Sequence, residues 1–98
     1  MPAVALSEAG YTSTYGIKMR TVYLIKSSNY PQRTYIGTTS DLSERLKRHN
    51  ADRSSHTNKC GPWEVIVAIQ FKDVRKANAF ERYLKSGSGR AFAKKHFW

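Results

Sequence analysis

The sequence predicts a mixed α/β domain in which helices cover both faces of a small β-sheet. Three stretches point there. Residues 21–37 read as two strands joined by a turn, residues 63–71 read as a strand apolar on both faces, and a segment of helical periodicity follows each. With 98 residues the chain has room for one modest core and no second catalytic domain.

Residues 1–18 are small and polar without a clear period, and they are expected to form a flexible leader ahead of a folded domain spanning 19–98. Their short apolar run lacks a basic start and is interrupted by Glu8, which argues against a signal peptide. No run approaches membrane-spanning length. Cys60 is the only cysteine, so an internal disulfide and a cysteine-rich zinc site are both excluded. A reducing cytoplasm, no membrane attachment and a monomeric state are the expectations that follow.

Residues 21–26 are rich in β-branched and aromatic side chains, Ser27 to Pro31 supply turn chemistry, and residues 33–37 make the second strand. Side chains alternate along a strand, so Tyr23 points away from Val22 and Leu24, and Tyr35 points away from Ile36. Both phenols can share one face. Two ordinary sheet tyrosines with satisfied hydroxyls would give the same pattern.

Gly37 ends the second strand, and Asp41 with Glu44 has the spacing of a capping box for a helix that runs to near Asn50. Leu42, Arg45, Leu46 and His49 fall on one face of that helix. Ser43, Glu44, Lys47 and Arg48 already supply a solvated face, so Arg45 and His49 break an otherwise apolar stripe. Arginine offers a planar fork of donors suited to phosphate oxygens, and histidine holds or releases a proton near neutral pH. One turn apart, they can address the same phosphate. Snorkelling or a structural pairing is the plainer alternative.

Residues 51–62 form a polar loop carrying Arg53, His56 and Lys59, and His56 is expected to have no role. The strand after it places Trp63, Val65, Val67, Ile69 and Phe71 on one face and Ile66 with Ala68 on the other, which is what calls for helices on both sides of the sheet. Asp73 can cap a second helix, with Val74, Ala77, Glu81 and Leu84 on one face. Glu81 is that helix's misfit. A carboxylate on a core-facing stripe needs a cation, a hydrogen-bond donor or a metal to offset its desolvation, and Lys85, four residues on, can be an ion-pair partner. Gly87-Ser88-Gly89 is expected to break the helix, with Ser88 capping a short basic helix from Arg90 that Phe92 and Phe97 or Trp98 anchor.

Seventeen Lys and Arg against seven Asp and Glu leave a formal charge of +10, a surface that gathers polyanions. DNA is the expected partner, with RNA an open alternative, and binding should weaken steeply with salt. Lys26, Arg48, Arg53, Lys59, Lys85, Arg90, Lys94 and Lys95 are the candidate phosphate contacts. A basic ribosome-associated protein would share the bulk charge. It would not require two strand tyrosines, an Arg and a His one turn apart, and a lone helical Glu. Together these suit phosphodiester cleavage, in which a hard metal ion on one carboxylate offsets the leaving oxygen's charge, an Arg takes the phosphoryl charge, and a phenolate or imidazole accepts a proton from water.

The order of these motifs resembles that of the GIY-YIG nuclease superfamily. Val22-Tyr23-Leu24 stands where the first motif falls, Tyr35-Ile36-Gly37 matches the second, Arg45 and His49 match a basic pair on the first helix, and Glu81 matches a metal-binding glutamate. The likeness runs over residues 20–97, and it looks most like that of small stand-alone bacterial members and of the N-terminal nuclease domain of the bacterial excinuclease C subunit.

The resemblance implies a three-stranded antiparallel sheet flanked by helices, and a cut of one DNA strand that depends on Mg2+ or Mn2+. It would make Tyr23 the acceptor of the water proton, with His49 assisting or taking that role. Tyr35 would position the phosphate, Arg45 would stabilise its charge, and Glu81 would hold the metal. A service in repair or recombination and a protein partner for target choice are further implications. Two departures stand out: Val and Leu flank Tyr23 in place of Gly and Ile, and no Asn follows Glu81, which leaves Ser86 or Ser88 as substitutes. A nucleic-acid-binding module with weak or absent catalysis is the alternative reading.

Overall fold

A computed structural model describes residues 19–51 and 60–98. The elements run β1 (Arg20–Ser27), β2 (Thr34–Thr39), α1 (Leu42–Ala51), β3 (Trp63–Phe71), α2 (Val74–Leu84) and α3 (Gly87–His96). The strands form one antiparallel sheet in the order β2-β1-β3, as the resemblance implied. Residues 1–18, expected to be a leader, and Arg53, His56 and Lys59 lie outside the described residues.

The β1–β2 turn is fastened by Ser27. Its N–H donates to the Arg33 carbonyl (3.0 Å), its hydroxyl accepts from the Tyr30 N–H (2.9 Å), and the same hydroxyl donates to the Cys60 carbonyl. In the centre of the sheet, β1 is covered on both sides. Tyr23 and Ile25 pack with Leu42 and Trp63 under α1, whereas Val22 and Leu24 pack with Ala77, Leu84 and Ala93 under α2 and α3. Each fully buried aliphatic side chain such as Leu42 or Leu84 contributes about 1.5–3 kcal/mol through removal from water.

The strand that is apolar on both faces is therefore not the one covered on both faces. β3 lies at the sheet edge, and it does not keep Trp63, Val65, Val67, Ile69 and Phe71 on one side. Leu24 pairs with Val67 and Ile25 with Val65, so Ile66 is an extra residue in a bulge. The bulge reverses the alternation: Trp63 and Val65 join the α1 layer, and Val67 and Phe71 join the α2–α3 layer. β3 thus feeds both cores in succession.

Asp41 caps α1 through a bond from the Glu44 N–H (3.1 Å), while the Asp41 N–H donates to the Thr39 hydroxyl (3.0 Å). Thr39 therefore fills the return leg expected of Glu44. Asp73 caps α2 as expected, accepting from the Arg75 N–H at 2.9 Å. Ala77 and Leu84 face the sheet, but Val74, expected inward, is 53% exposed.

The start of α3 also differs from expectation. The helix begins at Gly87, and its N-cap is Ser86, not Ser88. Gly87-Ser88-Gly89 forms its first turn and does not merely break α2. A Cβ on Gly89 would sit 1.7 Å from the Tyr83 carbonyl oxygen, so glycine is what lets the two helices meet this closely. Phe92, Phe97 and Trp98 anchor α3 on the core, as the sequence suggests. Among the described residues no helix is long and apolar enough to cross a membrane.

Candidate active site

The register of β1 with β2 sets the site. Tyr23 lies opposite Gly37 and Ile25 opposite Tyr35, so the two tyrosines stand diagonally on the α1 face with ring centroids 6.1 Å apart. Gly37 makes room for this. A Cβ there would lie 2.7 Å from the Tyr23 hydroxyl oxygen and 3.0 Å from a Tyr35 ring carbon. From the opposite side α1 turns Leu42, Arg45, Leu46 and His49 toward the sheet; Leu42 and His49 are buried, Arg45 and Leu46 partly so.

His49 is the hub. Its Nε2 is 2.9 Å from the Tyr23 hydroxyl, its ring meets the Tyr35 ring edge-on at 4.6 Å, and Trp63 closes another side at 6.3 Å. Burial raises the Tyr23 phenol above its ordinary value near 10, and neighbouring Tyr35 adds to the rise, while the positive charge of Arg45 opposes it. Burial prevails. At neutral pH Tyr23 is a phenol, and it shares this hydrogen bond with His49 Nε2, the imidazole tautomer setting which of the two donates. Tyr23 has no solvent-accessible surface, so attacking water does not reach it in this state of the protein.

Glu81 stands elsewhere. It lies on α2, between Ala77 and Leu84, in the layer on the other side of the sheet from α1. Its side chain is 20% exposed, and it accepts a 2.6 Å bond from Lys85 Nζ, the ion pair that the plainer sequence reading anticipated. Lys85 in turn lines a cavity of about 500 Å³ that Tyr35 also lines, so β2 connects the two layers. Among the described residues no cluster of three or more His, Cys, Asp or Glu could hold a metal. A single carboxylate still fits Mg2+, which keeps several waters and takes its remaining ligands from substrate phosphate, provided Lys85 gives way.

Of the expected catalytic residues, Tyr23, Tyr35, Arg45 and His49 come together, while Glu81 is carried by α2, which packs on the other face of the sheet from α1. Ser86, a suggested substitute for the missing Asn, is committed to capping α3: its hydroxyl donates to the Tyr83 carbonyl and accepts from the Gly89 N–H. Of the expected phosphate contacts, Lys26 stacks over the Trp98 ring at 5.8 Å, and Lys85 is held by Glu81. Arg48 is 4.0 Å from Glu44, while Arg90, Lys94 and Lys95 are exposed on α3. Two residues matter to the site in ways the sequence pattern does not show. Trp63 has the pattern of a core residue, yet its backbone N–H donates to the Asn50 side-chain oxygen at 2.8 Å, one residue past His49. Gly37 has the pattern of a strand end, yet it makes the room that the two tyrosines occupy.

Residues 19–95 match the family model of the GIY-YIG catalytic domain. The chain belongs to the GIY-YIG family. Its relatives include the structure-specific endonuclease subunit SLX1 of Candida dubliniensis, 43% identical over 54 residues that make up 49% of this chain and 19% of that protein. The SLX1 proteins of Debaryomyces hansenii and Meyerozyma guilliermondii are 33% and 30% identical over 81 and 84 residues, covering 66% and 69% of this GIY-YIG chain and 23% and 28% of theirs. The chain thus spans less than a third of the length of these curated relatives. They are fungal, and they lend nothing to the expected likeness to small stand-alone bacterial members or to the excinuclease C subunit.

Proposed function

We propose that this GIY-YIG domain is the catalytic part of a divalent-metal-dependent DNA endonuclease that cuts one strand at a time. One observation carries the reading: two tyrosines, an arginine and a histidine from three separate elements converge on one spot under α1, with a tyrosine hydroxyl bonded to the histidine.

A phenol can take a proton from water only if its own proton has somewhere to go. In this reading Tyr23 passes its O–H proton to His49 Nε2, Arg45 steadies the phenolate, and the phenolate oxygen accepts the proton of the attacking water. Substrate binding must open the cluster enough to admit that water. Arg45 then turns its fork to the phosphoryl oxygens, and Tyr35 orients the phosphate. When bound at Glu81, Mg2+ or Mn2+ supplies Lewis-acid stabilisation of the departing oxygen.

The relatives are named as structure-specific endonuclease subunits, which supports DNA cleavage and a protein partner; targeting by that partner, in repair or recombination, is our extension of that reading. A second reading, a nucleic-acid-binding module without useful turnover, draws on the enclosure of Tyr23 and the engagement of Glu81 by Lys85. Incubation with supercoiled plasmid and Mg2+ or Mn2+ separates them. Nicking that Tyr23→Phe, Arg45→Ala and Glu81→Ala each abolish is the expected result; salt-sensitive binding without nicking by the unsubstituted protein favours the module.

A further inference from the structure

A cavity of about 500 Å³ at the open edge of β2 is a concave feature that the cleavage reading does not use. Tyr35 of the candidate site forms part of its wall, the end of α2 contributes Lys85, and α3 contributes Arg90, Lys94 and the Trp98 that follows it. Every charged side chain in that wall is a cation. Arg90 and Lys94 lie one turn apart on the same face of α3, both exposed, and no described carboxylate pairs with either. The Trp98 ring packs partly on the core and the Lys26 ammonium lies over it, 5.8 Å from its centroid, so a planar group that stacks on this ring takes the place of that ammonium.

A fixed indole set among cations is the combination that holds an unpaired nucleotide: the ring stacks on the base, and the cations follow the phosphates. The volume suits one such group. A duplex keeps its bases stacked and paired, so it has no free ring face to offer the indole. We infer that the Trp98–Arg90–Lys94 groove is a subsite for one unstacked nucleotide of a single strand, adjoining the phosphate that Tyr35 would orient. This rests on the reading of the domain as one that acts on DNA, and it adds the form of DNA that the site receives.

Binding without metal tests it apart from cleavage. In EDTA, a single-stranded oligothymidine, the same sugar-phosphate chain made abasic, and a duplex of equal length are titrated into the whole chain. Trp63→Phe leaves Trp98 as the one tryptophan, and oligothymidine is expected to quench its fluorescence, whereas the abasic strand is not. Trp98→Ala should weaken oligothymidine binding about tenfold and Trp98→Phe about threefold, with the duplex changed less than twofold. Arg90→Glu with Lys94→Glu, on exposed positions where folding is not at stake, should weaken binding of the oligothymidine and the abasic strand alike and flatten the salt dependence of both.

Equal affinity for the abasic and base-bearing strands would overturn the subsite. So would unchanged Trp98 fluorescence on saturation, or single-strand binding indifferent to the double charge reversal. If plasmid nicking fails while these bindings behave as expected, the cleavage reading falls and the subsite stands; intact nicking with indifferent binding has the opposite meaning.

Discussion

The Tyr23 hydroxyl and His49 Nε2 meet at 2.9 Å, joining the central strand to α1 across the layer where Tyr35 and Trp63 also stack on the imidazole. Two groups able to carry a proton share one hydrogen bond, and both are buried. Tyr23→Phe removes the hydroxyl and with it the bond to the buried imidazole, so a loss of about 1–3 kcal/mol is expected, together with loss of nicking. Urea unfolding checks the first and plasmid conversion the second.

Raising pH should expose the same relationship. Tyr23 binds its proton more tightly in the folded chain than in the unfolded one, where the ordinary value is near 10. The stabilisation is therefore complete below pH 10 and is lost as pH rises from there toward the folded-state value. Above pH 10 the unfolded state releases a proton that the native state keeps, a slope of about 1.4 kcal/mol per pH unit from this group. Unfolding free energies measured from pH 9 to 12 should fall less steeply for Tyr23→Phe than for the unsubstituted protein.

Arg45 pulls the Tyr23 phenol down, against burial and Tyr35, which push it up. Removing that charge by Arg45→Ala should move the Tyr23 titration still higher, read as a later rise in ultraviolet tyrosinate absorbance. Arg45→Lys keeps the charge but not the planar fork, so it should leave the titration near its original place and still lower cleavage at least tenfold. A substitution that leaves both readouts unchanged would remove Arg45 from the site.

Two glycines offer contrasting packing tests. Gly37→Ala would press a methyl group against the Tyr23 hydroxyl and the Tyr35 ring, and a cost of about 1–3 kcal/mol is expected, with tyrosines displaced and cleavage impaired. Gly89→Ala meets backbone, which cannot swing away: the Tyr83 carbonyl would have to move, and a loss of about 3 kcal/mol or more at the α2–α3 junction is expected. Gly87→Ala has open space around its Cβ and should be tolerated.

These residues also show where sequence reasoning reaches and where it stops. Arg45 and His49 were legible because a helix face has a fixed period, and two polar residues on an apolar stripe stand out locally. The caps at Asp41 and Asp73 follow equally local rules. The bulge at Ile66 was not legible, because it depends on how β3 registers with β1, and a run of alternating apolar residues looks the same in either register. Nor was the start of α3, since a glycine that permits contact with a carbonyl of another helix looks like a glycine that ends one. Glu81 stands out by the same local rule, whereas the face of the sheet on which α2 packs arises from topology, which the helical stripe does not encode.

Lys85 holds Glu81 at 2.6 Å, and this pair stands between the carboxylate and any metal. The pair is an i, i+4 contact with one partner half exposed, worth only about 0.3–0.5 kcal/mol, so breaking it should scarcely affect folding. Lys85→Ala is accordingly expected to raise affinity for Mn2+ without lowering thermal stability by more than about 4 °C. Glu81→Ala should abolish that affinity. Paramagnetic broadening of amide signals by Mn2+ reads both, independently of any cleavage, and broadening centred on the end of α2 in the Lys85→Ala protein is the expected pattern. If broadening is unaffected by Glu81→Ala, the carboxylate is no metal ligand, and the ion pair with Lys85 is its whole role.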